Sequence, residues 1–324
     1  MGKFLTAFFL LIISFKANAQ YDTSKYSILR FGKDSVFLLK PTKADKYFEN
    51  GEYILAISEY KKIIIKDKTD NHAILNLACI YAITNQKDSA FLYLNKASAN
   101  DSIGWNFNNL DFYNLLTDKR WGEIEKTMWQ KIERKAHQKY LYPDVTMRFI
   151  EMHIKDQAYY KQIQVHENKY RNNPTKSDSF KIDSLGKIKN TLNKNNVLDL
   201  GKIIKKYGWP KKSVFGAIGS GTAFLIIQHS DIKYQKKYLP KIKELCEINE
   251  ADWQDYALLL DKVLVSEKKP QIYGSQVNYN KLTKQYELFP IEDEKNVDKR
   301  RKKAGLETLK DYAEQWNIKY EYPK

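Results

Sequence analysis

The segment ADKYFENGEYILAISEYKKIIIKD, residues 44–67, is matched in pattern by ACIYAITNQKDSAFLYLNKASAND, residues 78–101. Small and aromatic residues recur at the same places in both, as at Ala44 and Ala78, with an offset of 34 residues. Small residues recur where the two helices of a hairpin touch, and large apolar residues recur where neighbouring hairpins stack. The two segments therefore predict a pair of stacked helical hairpins.

The period and the residue types of these segments resemble the tetratricopeptide repeat family. Gly51 stands at the turn of the first hairpin, and Asn85 takes its place in the second. Two repeats are fewer than such arrays need for stability, and residues 105–126 keep a similar spacing that favours a third hairpin or a cap. The resemblance implies a concave surface that binds a protein or peptide partner. The alternative is that this region, residues 20–120, only supports the next domain.

The remaining chain, residues 121–324, has the pattern of a mostly helical domain. Apolar residues recur at helical spacing over 145–170 and over 180–208. Three further helices are predicted within 211–269. A helical segment bent at Gly305 closes the chain.

Two runs near the C-terminus have the pattern of β-strands. They are PQIYGSQVNY, residues 270–279, and KQYELFPI, residues 284–291, with a polar connection between them. Two such runs predict a hairpin. The predicted fold is therefore mainly α: tetratricopeptide-like helical hairpins followed by a mostly helical domain with a small two-stranded β-hairpin.

The first 19 residues, MGKFLTAFFLLIISFKANA, predict a secretory signal peptide. A basic start at Lys3, an apolar run from Phe4 to Phe15 and the closing Ala-Asn-Ala match the three regions of such signals. The apolar run is shorter than the roughly 20 residues that a membrane span needs. We expect an exported chain that begins at Gln20, contains no transmembrane segment and resides in the periplasm or outside the cell.

The chain is strongly basic, with 55 Lys and Arg residues against 39 Asp and Glu residues and a formal net charge of +16. This balance favours polyanionic partners, although a solvated lysine-rich surface is the more ordinary explanation. Export argues against nucleic acid as a partner. An anionic envelope surface is a further candidate partner.

The sequence predicts neither a metal site nor a cofactor. No H-E-x-x-H or C-x-x-C motif occurs, and zinc sites need several His or Cys ligands. The cysteines, Cys79 and Cys246, lie in separate apolar helical patterns and are expected to be small core residues. The glycine-rich stretch at residues 215–224 lacks the preceding strand and the spacing of a phosphate-binding loop.

Several motifs that follow one another in the C-terminal two-thirds together resemble the bacterial domain of unknown function 6624. They are GWP at 208–210, IIQHSD at 226–231, ALLLDKV at 257–263, PQIYGSQ at 270–276, VDKRRKKAGL at 297–306 and DYA at 311–313. The resemblance covers roughly residues 121–324 and includes an Asp156-Gln157 pair. Lys262 departs from the family pattern, which usually has Arg there, and Tyr160-Lys161 stands near another expected Arg. The family name implies no reaction.

His229 is the centre of the candidate catalytic site. We expect it to act as a general acid–base, oriented by Asp231 or Asp261, while Arg300 or Arg301 holds an anion. On one helix, Gln228, Asp231 and Gln235 would share a face. The alternative is a buried hydrogen-bond network that ties this helix to the hairpin.

The candidate binding residues come from the segment around His229, from the β-like run with the arginine that follows it, and from the Asp-Gln pair of the family pattern. They are Gln228, Gln235, Gln271, Tyr273, Gly274, Gln276, Arg301, Asp156 and Gln157. In a regular strand Gln271 and Gln276 point to opposite faces, so both could line one pocket only if a bulge forms at Gly274.

Two functions from different classes fit the sequence. The first is an exported envelope binding or scaffold protein that uses its helical repeats for protein–protein interaction. The second is a hydrolase-like enzyme with a cleft centred on His229 and walled by the β-hairpin.

Overall fold

The computed structural model of the chain describes residues 27–31, 35–39, 41–99, 110–136, 139–280, 282–283 and 285–323. Within these ranges helices dominate, and the strands form two small antiparallel pairs. The predicted mainly α fold with a small β-hairpin is confirmed. The predicted signal peptide, residues 1–19, lies outside the described residues, so export stays a prediction. Among the described helices, none combines the length and hydrophobicity that crossing a bilayer requires.

The chain divides into two compact units after Pro41. In the first unit, strands β1 (Ser27–Phe31) and β2 (Ser35–Leu39) form an antiparallel hairpin in which Ser27 lies opposite Leu39. This hairpin is not among the elements predicted from the sequence.

The second unit begins with the two predicted helical hairpins. They consist of α1 (Lys43–Glu49), α2 (Tyr53–Lys66), α3 (Asn71–Ile83) and α4 (Lys87–Ser98). Thr42 caps α1 in a capping box with Asp45, and Asp70 caps α3. Gly51 and Asn85 both adopt positive φ, +72° and +58°, at the equivalent turns. The hairpins are therefore present, while their membership of the tetratricopeptide family stays a prediction.

A single buried core runs from these hairpins into the next helices. The alanines that repeat at the helix contacts are at most 1% exposed; they are Ala44, Ala56, Ala78 and Ala90. The same cluster continues through a 3-10 helix (Leu110–Leu115) to Trp121, Ile124, Ile150 and Ile154. Core packing therefore crosses the boundary predicted between residues 120 and 121, and the division into domains there stays a prediction.

The remaining helices form the larger part of this unit. They are α5 (Trp121–Ala136), α6 (Pro143–Gln157), α7 (Tyr160–Asn172), α8 (Lys176–Tyr207), α9 (Lys212–Gln228), α10 (Ile232–Glu247), α11 (Trp253–Ser266), α12 (Val297–Lys303) and α13 (Leu309–Glu314). Helix α6 packs against both α8 and α9. Cys79 and Cys246 are both buried, as expected of core residues.

Two helix breaks differ from the sequence prediction and shape the site. The helical pattern over 145–170 is interrupted in the structure, because Tyr159 adopts φ +65° and separates α6 from α7 just beyond Asp156. The prediction that one helix carries Gln228, Asp231 and Gln235 on one face is wrong. Helix α9 ends at Gln228, and α10 begins at Ile232.

The second hairpin consists of β3 (Val277–Asn280) and β4 (Gln285–Leu288), paired with Val277 opposite Leu288. The predicted hairpin is confirmed, but β3 covers only the end of the predicted run 270–279. Residues 272–276 form an irregular loop, because the backbone N–H groups of Ile272, Tyr273 and Ser275 donate to the carboxylate of Asp261 instead of to a neighbouring strand.

Candidate functional site

Polar side chains are buried where α6, α8 and α9 meet. Lys189, Asn193 and Asn196 follow one another at helical spacing on α8, and each is at most 9% exposed. Asn196 Nδ2 donates to the carbonyl of Met152 at 2.8 Å, and Lys189 Nζ donates to the carbonyl of Asp156. These bonds place a polar face of α8 along the last turns of α6.

The centre of this junction is a contact between His229 and Asp156. Nδ1 of His229, which follows the last residue of α9, lies 2.7 Å from Oδ2 of Asp156. Gln157 Nε2 donates to the same oxygen at 2.6 Å. Burial acts to raise the pKa of Asp156, but His229, Lys189 and the Gln157 bond outweigh it and leave this pKa below its usual range. Asp156 is therefore a buried carboxylate held in its charged form.

His229 remains accessible on its other side. Its side chain is 18% exposed, whereas that of Asp156 is 0% exposed. Within the part of the chain that the structure describes, Nε2 of His229 forms no hydrogen bond. The imidazole is thus fixed through one nitrogen and open through the other.

Lys262 on α11 lies next to this pair. Its Nζ donates to the carbonyl of Gln228 at 2.6 Å. Gln235 Nε2 donates to the same carbonyl at 3.1 Å and to that of Ser230 at 2.9 Å, which secures the turn carrying His229. Burial lowers the pKa of Lys262 to about 8, against the opposing charge of Asp156.

A second imidazole, His153, lies one turn before Asp156 on α6. Burial lowers the pKa of His153 to about 4, although the charge of Asp156 opposes this and that of His229 adds to it. His153 is therefore neutral near pH 7, and Asp156 carries the negative charge at the junction.

Several buried side-chain oxygens on these helices have no hydrogen-bond partner among the described residues. They are Asp156 Oδ1, Tyr160 OH, Asn193 Oδ1, Thr222 Oγ1, Gln228 Oε1 and Gln235 Oε1. Buried polar atoms are ordinarily paired, because leaving one unpaired costs about 1–3 kcal/mol. Asp156 and Asn193 belong to the junction described above, and Gln228 directly precedes His229.

Asp231 and Asp261 do not take the expected role of orienting His229. Asp231 is exposed, and its side chain makes no capping bond at the start of α10. Asp261 is fully buried and accepts from the backbone N–H groups of Ile272, Tyr273 and Ser275 at 2.7 to 3.2 Å. Burial raises the pKa of Asp261, although these N–H groups oppose the shift.

The loop motif PQIYGSQ is held together by its own residues. Gln271 is fully buried, donates to the carbonyl of Gln276 at 3.1 Å and accepts from its N–H at 2.8 Å. Gly274 adopts φ +66°, and an added Cβ would lie 2.8 Å from Leu309 and 2.9 Å from Ile291. These contacts give the loop a structural role and leave no shared pocket for Gln271 and Gln276.

The two arginines expected to hold an anion bind backbone carbonyls instead. Arg300 donates to the carbonyls of Ile272, Glu292 and Asp293, and its Nη1 also pairs with the carboxylate of Asp293 at 3.2 Å. Arg301 is 1% exposed, and it donates to the carbonyls of Tyr273 and Glu307, both at 2.6 Å. A guanidinium with several N–H donors suits this bridging, and both groups stabilise the loop.

The candidate site therefore differs from the predicted one. Of the predicted residues, the structure brings together His229, Asp156, Gln157, Gln228 and Gln235. It adds Lys189, Asn193, Lys262 and His153, which the sequence analysis did not assign to the site. The polar residues at 189, 193 and 196, on the same face as the buried Val197 and Leu200, are the sequence signal that could have revealed it.

A cavity of about 880 Å³ lies elsewhere, between α5 and α6. Its lining mixes the aromatic Trp129 and Tyr140 with charged groups, some of them paired, as Lys155 is with Glu151 at 2.9 Å. His229 does not line this cavity. Across the described ranges, no three His, Cys, Asp or Glu side chains come together as metal ligands would.

Comparison with known proteins identifies the C-terminal part of the chain. No curated protein and no solved structure gave a match. The model of one family matches residues 143–322, a range that contains α6, α8, α9, α11 and the loop around Asp261. This match spans more than half of the 324 residues, and the chain belongs to this family, the family of unknown function DUF6624.

Proposed function

We propose that the chain is a hydrolase-like enzyme in which His229 acts as a general base on a water molecule. The observation that carries the proposal is the 2.7 Å contact of Nδ1 with Asp156, which leaves Nε2 open. A carboxylate that accepts from Nδ1–H holds the neutral imidazole in the tautomer whose lone pair is on Nε2. Nε2 can then accept the proton of an attacking water.

The burial of Asp156 supports this role. When Nε2 takes up a proton, the imidazolium needs a negative charge close by, and Asp156 supplies it at hydrogen-bond distance. Away from water this attraction is stronger than at the surface. The pKa of Asp156 is lowered despite burial, so the carboxylate is held in its charged form.

Water fits better than a side chain as the nucleophile. Ser230 carries the hydroxyl next to His229 in sequence, but its Oγ donates to the carbonyl of Ile227 at 2.7 Å. A hydroxyl engaged in this way is not directed at Nε2. The proposal therefore assigns His229 the activation of water and includes no covalent intermediate.

The competing account is that His229 and Asp156 only stabilise the junction, and His229→Gln separates the two. General-base catalysis predicts that turnover falls by about 10²- to 10⁴-fold, with a loss of unfolding free energy of no more than about 2 kcal/mol. Turnover is measured on chromogenic esters and phosphoesters, and stability by urea unfolding. Unchanged turnover in His229→Gln would contradict the proposal.

The chain offers a matched control for this experiment. Nδ1 of His166 lies 2.8 Å from Oδ1 of Asp178 in a similar pair, formed between α7 and the first turn of α8. His166 is 27% exposed and Asp178 is 15% exposed, so the carboxylate is less buried than Asp156. His166→Gln should leave turnover unchanged. That result would show that a loss of turnover in His229→Gln is specific to the His229 site.

A second candidate function is binding of a protein or peptide by α1–α4. The observation in its favour is that Ile54 and Ile65 on α2 are 84% and 77% exposed and lie three helical turns apart on one face. A photoreactive amino acid at position 54 should give a discrete adduct with another protein in intact cells. Absence of any adduct, with a photoreactive residue at exposed Leu282 as the comparison, would count against this function.

A further inference from the structure

Among the residues that the structure describes, positive groups outnumber carboxylates at the junction around His229. Two ammonium groups, those of Lys189 and Lys262, lie close enough to Asp156 for its charge to act on both. The carboxylate of Asp156 already accepts from His229 and Gln157. Once Asp156 has balanced one of the two lysines, one positive charge remains.

Neither lysine has a carboxylate partner. Lys189 Nζ donates to the carbonyl of Asp156, and Lys262 Nζ donates to the carbonyl of Gln228 at 2.6 Å. In the described part of the chain, neither forms an ion pair. An ammonium group has three N–H donors, so each of these has donors left over.

Buried charges are normally paired, because moving an ion out of water is costly. The pKa values of Lys189 and Lys262 are both lowered, with burial as the main cause. A bound anion would remove this cost by pairing with the ammonium group. The unbalanced charge thus points to the kind of ligand that the junction accepts.

Lys262 is better placed than Lys189 to receive such a ligand. Lys189 is only 9% exposed, whereas Lys262 is partly accessible. The carbonyl that anchors Lys262 belongs to Gln228, the residue directly before His229. Lys262 and the imidazole proposed as the base therefore both lie near Asp156.

We infer that Lys262 binds an anionic group of the substrate, a carboxylate or a phosphate, next to His229. This inference rests on the proposed function in one respect, that the bound anion is part of a substrate. The evidence for the anion site itself is the charges and contacts of Lys262 and Lys189. The unpaired oxygen of Gln228 would accept a hydroxyl or water donor near the same ligand.

The test measures binding of inorganic phosphate and of acetate by calorimetry, at an ionic strength held constant with sodium chloride. We expect the purified chain to bind at least one anion, and the affinity to fall about tenfold in Lys262→Met. The control is Lys205→Met, which removes an exposed lysine of α8 and should bind as the unmodified chain does. Comparison of the two anions distinguishes a phosphate site from a carboxylate site.

Equal affinity in Lys262→Met and the unmodified chain, or no binding of either anion, would overturn the inference. If Lys262→Met does not fold, acetylation of Lys262 in the unmodified chain is followed by mass spectrometry. Phosphate or acetate should slow acetylation of Lys262 but not that of Lys205, and equal rates with and without anion would overturn the inference.

The two proposals fail in different ways. If His229→Gln loses turnover while Lys262→Met binds anions normally, His229 remains the base and the anion site is wrong. If Lys262→Met loses anion binding while His229→Gln keeps full turnover, the anion site stands and the hydrolase proposal is wrong.

Discussion

Nδ1 of His229 lies 2.7 Å from Oδ2 of Asp156, although the two residues are 73 positions apart in the chain. Asp156 is in the last turn of α6, and His229 directly follows α9. Both helices end at this point, so neither residue is followed by a continuation of its helix. The contact therefore depends on where two helices stop as much as on which residues they carry.

Asp156→Asn should reduce hydrolytic turnover by about 10²- to 10⁴-fold, the range that general-base catalysis supplies. An amide cannot supply the charge that stabilises the imidazolium, and its NH₂ can favour the wrong imidazole tautomer. Turnover on the substrates that the unmodified chain hydrolyses checks this. Asp178→Asn, at the comparable His166 pair, is the control and should retain turnover; full turnover in Asp156→Asn would show that the carboxylate is not needed.

Asp261→Ala should lower the free energy of unfolding by about 3 kcal/mol or more, because several buried N–H groups lose a charged acceptor at once. The backbone N–H groups of Ile272, Tyr273 and Ser275 all donate to the Asp261 carboxylate over distances of at most 3.2 Å. Urea unfolding measures the loss. Asp231→Ala, at an exposed carboxylate without a capping bond, should change stability little, and equal effects in both variants would contradict the structural role of Asp261.

Gly274→Ala should destabilise the chain by about 1–3 kcal/mol, since φ is +66° and the new methyl group would crowd Leu309 and Ile291. Gly201→Ala is the opposite case. Gly201 lies within α8 with nothing within 4 Å of an added Cβ, so alanine should stabilise by about 0.5–1 kcal/mol. Thermal and urea unfolding of both variants test the pair, and stabilisation by Gly274→Ala would refute the close packing of this loop.

The free energy of unfolding should fall as pH rises from about 4 to 8, because of the titration of the Asp255 carboxyl. Burial, followed by the charge of Asp252, raises the pKa of Asp255 to about 8, and Lys212 opposes the shift. In the unfolded chain the carboxyl of Asp255 has a pKa near 3.9, so the folded chain holds the proton of this carboxyl more tightly. The contribution of Asp255 to stability is therefore complete below about pH 4 and is lost as pH approaches 8.

Asp255→Asn should therefore flatten the pH dependence of the unfolding free energy between pH 5 and pH 8. The measurement is urea unfolding at several pH values for the unmodified chain and for this variant. Asp231→Asn, at an exposed position, should keep the original slope. An unchanged slope in Asp255→Asn would mean that this carboxyl does not retain its proton on folding.

The predictions that held concern features that neighbouring residues decide. The 34-residue offset marks the hairpins of α1–α4, because small residues such as Ala56 and Ala90 must lie where helices touch. The caps that Thr42 and Asp70 form at the starts of α1 and α3 are local features of the same kind. The C-terminal hairpin is also present, with a shorter first strand than its β-like pattern suggested.

The predictions that needed correction concern the pairing of polar groups. Asp231 is two residues from His229 in sequence, but the turn after α9 leaves its side chain exposed and the partner comes from α6. Arg300 and Arg301 have the chemistry to hold an anion, but nearby backbone carbonyls occupy them. Residue type identified these groups as candidates without identifying their partners.

The sequence alone determined the mainly helical fold, the repeated hairpins and the family, because periodicity and ordered motifs are properties of the linear chain. The tertiary structure decided that Asp156 pairs with His229, that Lys189 and Lys262 lie near the same carboxylate, and that Asp261 organises the PQIYGSQ loop. The physical reason is that buried polar groups take whichever partners the packed helices bring within hydrogen-bond distance, and those partners are far apart in sequence.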